Sequence, residues 1–309
     1  MPSEAAELPR PRIPAMTLLA CAACIGVFIG LALESNTDSW EALSKWGYLP
    51  TDRIRAGQYW ALISSVFVHL ALWHVAFNVY WLFLLGGCLE RAIGPVRWLG
   101  LFTVSAIVSS GWELAVSDST GIGASGVVYS IFGFMLVTRR QFPGFAKHLD
   151  HRTIVWFIAW LVGCIALTAM RVWEVGNSAH VSGFIFGVLV GAWSALPKWR
   201  NLLRVAAAAL IVSAIVPLFW APWSADWTSK RAYDAHAKGE YRDAIILYER
   251  AMRRGQDKAW CLGNLALVYH ELNDDQQFAR AMQELRYIDP KAAVEVSKQI
   301  GASANRLFK

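Results

Sequence analysis

The sequence predicts an all-α protein: a polytopic membrane helical bundle of seven spans, followed by a small soluble α-helical domain. Three observations predict this class. Hydrophobic residues make up 56% of the 309 residues and charged residues only 17%, with a mean hydropathy of +0.36. A soluble domain carries about 25% charged residues. The average also conceals a division. Residues 1–224 hold 15 Lys+Arg and 11 Asp+Glu, whereas the much shorter stretch 225–309 holds 14 and 12. Finally, the first part contains recurrent apolar runs near the bilayer-crossing length of about 20 residues, and the second alternates apolar and charged residues with helical period. An ordinary soluble globular protein and a disordered chain are both excluded. The 16 Trp agree, because Trp concentrates at membrane interfaces.

The apolar runs lie at 15–34, 71–91, 96–116, 124–139, 152–171, 178–196 and 203–220. The first follows Pro9, Pro11 and Pro14, lacks a small-residue cleavage signature and is read as a retained helix. Cys21 and Cys24 fall inside it as a Cys-x-x-Cys pair. Within an apolar helix they read as small filler rather than a metal or redox site. Apolar character before the second span already begins at Tyr59. As one helix, Tyr59–Leu89 would run about 46 Å, against a hydrocarbon core of about 30 Å. Tyr59–Leu70 is therefore expected to lie in the interface. The fourth run is short and follows Gly121-Ile122-Gly123-Ala124-Ser125-Gly126. A glycine-rich loop at membrane depth is tolerated only where protein or a water-filled cavity covers it, which points to a functional site. The last run carries Pro217.

Basic residues set the expected orientation. Arg10, Arg12, Arg91, Arg97, Arg139, Arg140, Lys147, Arg152, Lys198, Arg200 and Arg204 fall on one side, and Lys45, Arg53, Arg55 and Arg171 on the other. The first side is cytoplasmic by this count, with the N-terminus inside and residues 225–309 outside. The net charge of +6 is mostly this asymmetry and gives no reason to expect nucleic acid.

Polar and ionisable groups inside spans are costly and mark function. His74 and Asn78 stand four apart on one face of the second span, with His69 just before them. Taken alone, the pair also fits helix–helix hydrogen bonding. Ser125 sits where the glycine-rich loop becomes helix, where backbone N–H groups lack intrahelical partners and can face an anion. Taken alone, it also fits helix capping. His180 lies three and seven residues before Gly183 and Gly187, a G-x-x-x-G face that admits a close neighbour. Together these three spans supply one hydroxyl, one candidate base and two further donors, the parts of a serine hydrolase. No suitable acid to orient His180 is found: Glu174 is in an outer loop and Glu90 at the cytoplasmic end of the second span. A Ser–His dyad therefore fits better than a triad.

On H-V-A-F-N (74–78), E-R-A-I-G (90–94), G-A-S-G-V-V-Y (123–129) and A-H-V-S-G-F-I-F-G (179–187), in that order, the sequence resembles the rhomboid intramembrane serine proteases. The resemblance covers roughly residues 15–196. It implies a six-helix core with a cavity open to the outside, and a seventh span like that of some members. It implies Ser125 as nucleophile, His180 as general base, and the Ser125 N–H, His74 and Asn78 as the oxyanion hole. Gly123 matches the loop glycine and Tyr129 an aromatic that stacks on the histidine; read from the residues alone, Tyr129 also fits core packing. Many members have Trp-Arg in the first outer loop, where this chain has Trp60-Ala61. The domains expected are a cytoplasmic tail (1–14), the protease core (15–200), the seventh span (201–222) and the soluble domain (223–309).

The soluble part carries a repeat. Residues 239–251 resemble the second helix of a tetratricopeptide unit, and a 34-residue step takes Gly239 to Asn273 and Ala232 to Ala266. Phe278 stands where a second Ala244 is expected. About two degenerate repeats and a final helix result, with an unrelated α-hairpin domain as the alternative. The expected function is hydrolysis of peptide bonds in or near transmembrane segments of membrane proteins, in a bacterial cytoplasmic membrane, without metal or organic cofactor. The partners expected are transmembrane substrates, the lipid bilayer and a peptide or protein for the C-terminal domain. The competing readings are an inactive rhomboid-like binder of membrane clients and a transporter or channel.

Overall fold

The computed structural model describes residues 13–307, so most of the expected tail 1–14, with Arg10 and Arg12, lies outside the described residues. Helices are the only regular structure among the described residues, without strands, and the chain divides into two compact units, Met1–Phe219 and Trp220–Lys309.

In the first unit, α1 (Ala15–Ala32) leads into a long loop holding the short helices α2 (Trp40–Lys45), α3 (Thr51–Arg55) and α4 (Ala61–Ser64) and a 3-10 turn at Ser65–Phe67. The Tyr59–Leu70 stretch is thus short helical pieces, not an extension of the next span. That span is α5 (Leu72–Trp81), a π turn at Leu82–Gly86 and α6 (Gly87–Ile93). Then follow α7 (Pro95–Ser117), α8 (Ser125–Thr138), α9 (His151–Ala169), α10 (Asn177–Ala195) and α11 (Arg200–Phe219). Six helical stretches are long and apolar enough to cross a membrane, and α8 is a shorter apolar helix. The chain is a multi-pass membrane protein.

Local chemistry sets the helix ends. Pro95 opens α7 at N1, where its missing N–H costs nothing. Asp118 closes α7 in the left-handed conformation, φ +54°. Asp150 caps α9 by accepting from the Thr153 N–H at 2.8 Å. α1 begins at Pro14 without a capping side chain of its own. Its first-turn donors are taken by the buried Glu90 of α6 instead, which accepts from Met16 N (3.0 Å), Thr17 N (2.7 Å) and Thr17 Oγ1 (2.8 Å).

At 14 residues α8 is about 21 Å long, too short to span the core of about 30 Å. It is buried on nearly every side, with Val127, Ile131, Phe132 and Met135 in the central core. Between helices in lipid, association rests on close van der Waals packing, so small residues matter most. A Cβ on Gly183 of α10 would fall on the Gly126 carbonyl of α8, and one on Gly187 would fall on that of Ser130. α10 and α8 therefore touch backbone to backbone. α11 approaches α7 in the same manner, at Gly111 and Ala214.

The second unit contains α12 (Ala225–Ala237), α13 (Tyr241–Arg253), α14 (Lys258–Glu271), α15 (Asp275–Ile288) and α16 (Pro290–Leu307). Ser224, Asp257 and Asp274 cap α12, α14 and α15 through the amides of Trp227, Trp260 and Gln277. Ala232 and Ala266, 34 residues apart, are both fully buried. Gly239 (φ +76°) and Asn273 (φ +54°), at the same spacing, each turn the chain between two helices. Phe278 is only partly buried, at the margin of the second apolar cluster.

Candidate active site

The segment between α7 and α8 is held from two directions. Thr51 Oγ1 donates to the Asp118 carbonyl, Arg55 Nη2 pairs with Asp118 Oδ1 at 3.2 Å, and the Tyr48 and Ser119 hydroxyls meet at 2.8 Å. Ser119 Oγ in turn accepts from Gly121 N at 3.0 Å, and Gly123 N donates to the Ser65 carbonyl at 3.2 Å. The outer loop, which lacks an arginine beside Trp60, is thus fastened through Arg55 six residues earlier. Gly123 adopts φ +95°, a conformation that side chains avoid, and a Cβ there would stand 2.7 Å from the His74 ring. The bare glycine lets His74 lie against the loop just before Ser125.

Ser125 is the first residue of α8, with its N–H among those left free by the helix start. Its Oγ is hydrogen-bonded to His180 Nε2 at 2.7 Å. The backbone contact of Gly183 with Gly126 makes this possible by drawing the two helices together one turn away. The Tyr129 ring lies 4.9 Å from that of His180, centroid to centroid, and the Tyr129 hydroxyl donates to the Phe157 carbonyl at 3.1 Å. His180 Nδ1 is buried and has no hydrogen-bond partner among the described residues. For Nε2 to accept the serine proton, the ring proton must sit on this Nδ1.

His74 and Asn78 share one face of α5 and line the same cavity as Ser125 and His180. Asn78 Nδ2 donates one hydrogen to the His74 carbonyl at 2.9 Å, and an amide carries a second. The His69 ring meets His74 edge-on at 4.8 Å, its Nδ1 3.0 Å from the Phe67 carbonyl. The cavity has a volume of about 760 Å³, a size that suits a peptide segment or small ligand. One wall is aromatic: Phe77 and Trp81 of α5 meet Trp156 and Trp160 of α9 with centroids 5.2–5.9 Å apart. α9 is the least enclosed of the six long helices.

The six residues singled out in the sequence (His74, Asn78, Gly123, Ser125, Tyr129 and His180) therefore line one cavity. Cys21 and Cys24 are free thiols in α1 and do not line it. No group of three His, Cys, Asp or Glu side chains is arranged to hold a metal among the described residues. Sequence reasoning missed Glu113. This carboxylate of α7 is buried, lines the cavity and accepts from the Ala179 N–H at 3.1 Å. The signal was present: Ser105, Ser109 and Glu113 repeat every four residues, a polar stripe along an apolar helix.

A serine hydroxyl hydrogen-bonded to an imidazole beside free backbone donors is equipped for acyl transfer. A family model for the Rhomboid domain matches residues 56–196. The chain is 29% identical over 188 residues to the rhomboid protease GlpG of Yersinia pseudotuberculosis serotype I (strain IP32953), a match covering 60% of this chain and 65% of that protein. It is 30% identical over 193 residues to the rhomboid protease GlpG of Serratia proteamaculans (strain 568), covering 62% and 67%. The chain thus spans just under two thirds of the Yersinia relative's length.

Proposed function

The chain belongs to the rhomboid family, and on that premise we propose that it is an intramembrane serine endopeptidase working through a Ser125–His180 dyad. The observation that carries this reading is the 2.7 Å hydrogen bond between Ser125 Oγ and His180 Nε2 at the wall of a cavity. His180 Nε2 takes the hydroxyl proton as Ser125 Oγ attacks the scissile carbonyl carbon. The Ser125 N–H, His74 and Asn78 donate to the oxyanion that forms. The imidazolium then protonates the leaving amine, the C–N bond breaks and an acyl-enzyme remains. Water, deprotonated by His180, attacks the ester, and the second tetrahedral intermediate collapses to free acid and serine. Tyr129 holds the imidazole by its ring face and Gly123 keeps the loop close to His74.

The substrates proposed are single-span membrane proteins whose helix is locally unstable near the outer face, with small residues before the cut. The proposed setting is a bacterial cytoplasmic membrane, with the N-terminus inside and residues 223–309 outside as a tetratricopeptide-like module that takes a peptide or protein partner. Purified chain and a Ser125→Ala variant, each given a labelled transmembrane substrate in liposomes, test the chemistry. Cleavage by the parent alone is expected, and equal cleavage by both sinks the reading. A reporter fused to the C-terminus is expected to be active only outside the cytoplasm.

A further inference from the structure

Among the described residues of the membrane unit two carboxylates are buried, and both are spent on the start of a neighbouring helix. Glu90 takes the first-turn donors of α1. Glu113 does the same for α10, the helix that carries His180. α10 begins at Gly176, which has no side chain with which to cap it. The His180 N–H already reaches the Gly176 carbonyl at 3.2 Å, so the helix's own first hydrogen bond starts there. The Ala179 N–H, one residue earlier, is an orphan donor of the first turn, and Glu113 Oε2 accepts it at 3.1 Å. A carboxylate at this place also complements the positive end of the helix dipole.

Glu113 touches the other half of the site as well. A Cβ on Gly121 would stand 3.2 Å from Glu113 Cγ, and one on Gly176 would stand 3.4 Å from its carboxylate. One side chain from α7 therefore lies against both the loop that enters Ser125 and the turn that enters His180. His180 needs such support from its backbone, because its Nδ1 has no side chain to orient it.

We propose that Glu113 is a positioning residue for the dyad, a cap supplied by α7 that holds the first turn of α10 and the Ser125 loop in mutual register. The proposal rests on the serine-protease reading above. It assigns to a backbone contact the orienting role that a third acid would fill through the imidazole itself.

The test uses the full chain in detergent, with Glu113→Gln and Glu113→Ala variants and three readouts. These are the rate at which a fluorophosphonate labels Ser125, kcat and KM on a labelled transmembrane substrate, and amide exchange at residues 176–181 in a Ser125→Ala background. Glu113→Ala is expected to slow labelling and lower kcat about tenfold or more with KM little changed, and to speed exchange at Ala179. Glu113→Gln, which keeps an oxygen acceptor, is expected to recover most of both. Labelling of Glu113→Ala at the parent rate overturns the proposal, as does a slow Glu113→Gln whose 176–181 exchange matches the parent. A parent chain that no fluorophosphonate labels and that cleaves no faster than Ser125→Ala instead refutes the serine-protease reading, and the exchange data still report what Glu113 holds.

Discussion

Gly183 lies so close to Gly126 that a single methyl group on it would overlap the facing carbonyl. This contact between α10 and α8 sits one turn from the Ser125–His180 hydrogen bond, so the separation of the helices and the geometry of the dyad are set together. Forcing extra volume into a packed contact costs about 1–3 kcal/mol. Gly183→Ala is expected to lower the thermal unfolding midpoint and to slow fluorophosphonate labelling of Ser125 by at least tenfold. Gly26, where an added Cβ would meet no neighbouring side chain or helix within 4 Å, is the control: Gly26→Ala is expected to match the parent in both measurements. Parent-like labelling of Gly183→Ala would separate helix packing from the dyad.

His74 and Asn78 line the same cavity as the nucleophile proposed above. Donors aimed at an oxyanion act mainly in the transition state, and removing one costs roughly a hundredfold to a thousandfold in kcat. His74→Ala and Asn78→Ala are expected to lower kcat by about that range with KM nearly unchanged. The double variant is expected to fall short of the product of the two effects, because both donors serve one charge. Steady-state kinetics on the four proteins decide the matter, and a rise in KM at constant kcat would reassign both residues to substrate binding.

Glu90 reaches from the end of the second span to the start of the first. Without it, the Thr17 amide loses its acceptor in a buried place and the Met16 amide in a half-buried one. Each unsatisfied buried donor costs about 1–3 kcal/mol. Glu90→Ala is therefore expected to cost about 3 kcal/mol in total, read as a lower unfolding midpoint and faster proteolysis near α1. Glu90→Gln is expected to lose less, since one oxygen remains to accept. An unchanged midpoint in Glu90→Ala would show that α1 docks by apolar packing alone.

The spans were legible because bilayer thickness fixes their length, and the glycine run before Ser125 announced the short α8. Ser125, His180, His74 and Asn78 were legible because polar side chains are conspicuous in apolar runs. Glu113 was conspicuous in the same way. It escaped because a search for a charge partner looks to side chains, and its partner is a backbone amide 66 residues away. Glu90 is conspicuous too, but its partners are the first-turn amides and the Thr17 hydroxyl of α1, 73 or 74 residues earlier in sequence. The π turn at Leu82–Gly86 leaves no periodic mark in a run that is apolar throughout. Ala61 stands where many family members carry an arginine in the outer loop. The anchor that exists, Arg55 with Asp118, joins two loops 63 residues apart, a pairing no local pattern encodes.

That pair carries the last expectation. Arg55 is largely buried at the guanidinium, and its partner Asp118 closes α7 with φ +54° just before the loop that ends in Ser125. The ion pair therefore fixes the outer end of the loop, while Gly123 and Ser65 fix the inner end. Partly shielded pairs of this kind are worth about 1 kcal/mol, too little to govern folding but enough to bias a loop. Arg55→Ala and Asp118→Ala are each expected to shift the unfolding midpoint slightly and to slow Ser125 labelling severalfold. Because both remove the same tie, the double variant is expected to label no more slowly than either single one. Multiplicative slowing in the double variant would mean that Arg55 and Asp118 act on the site separately.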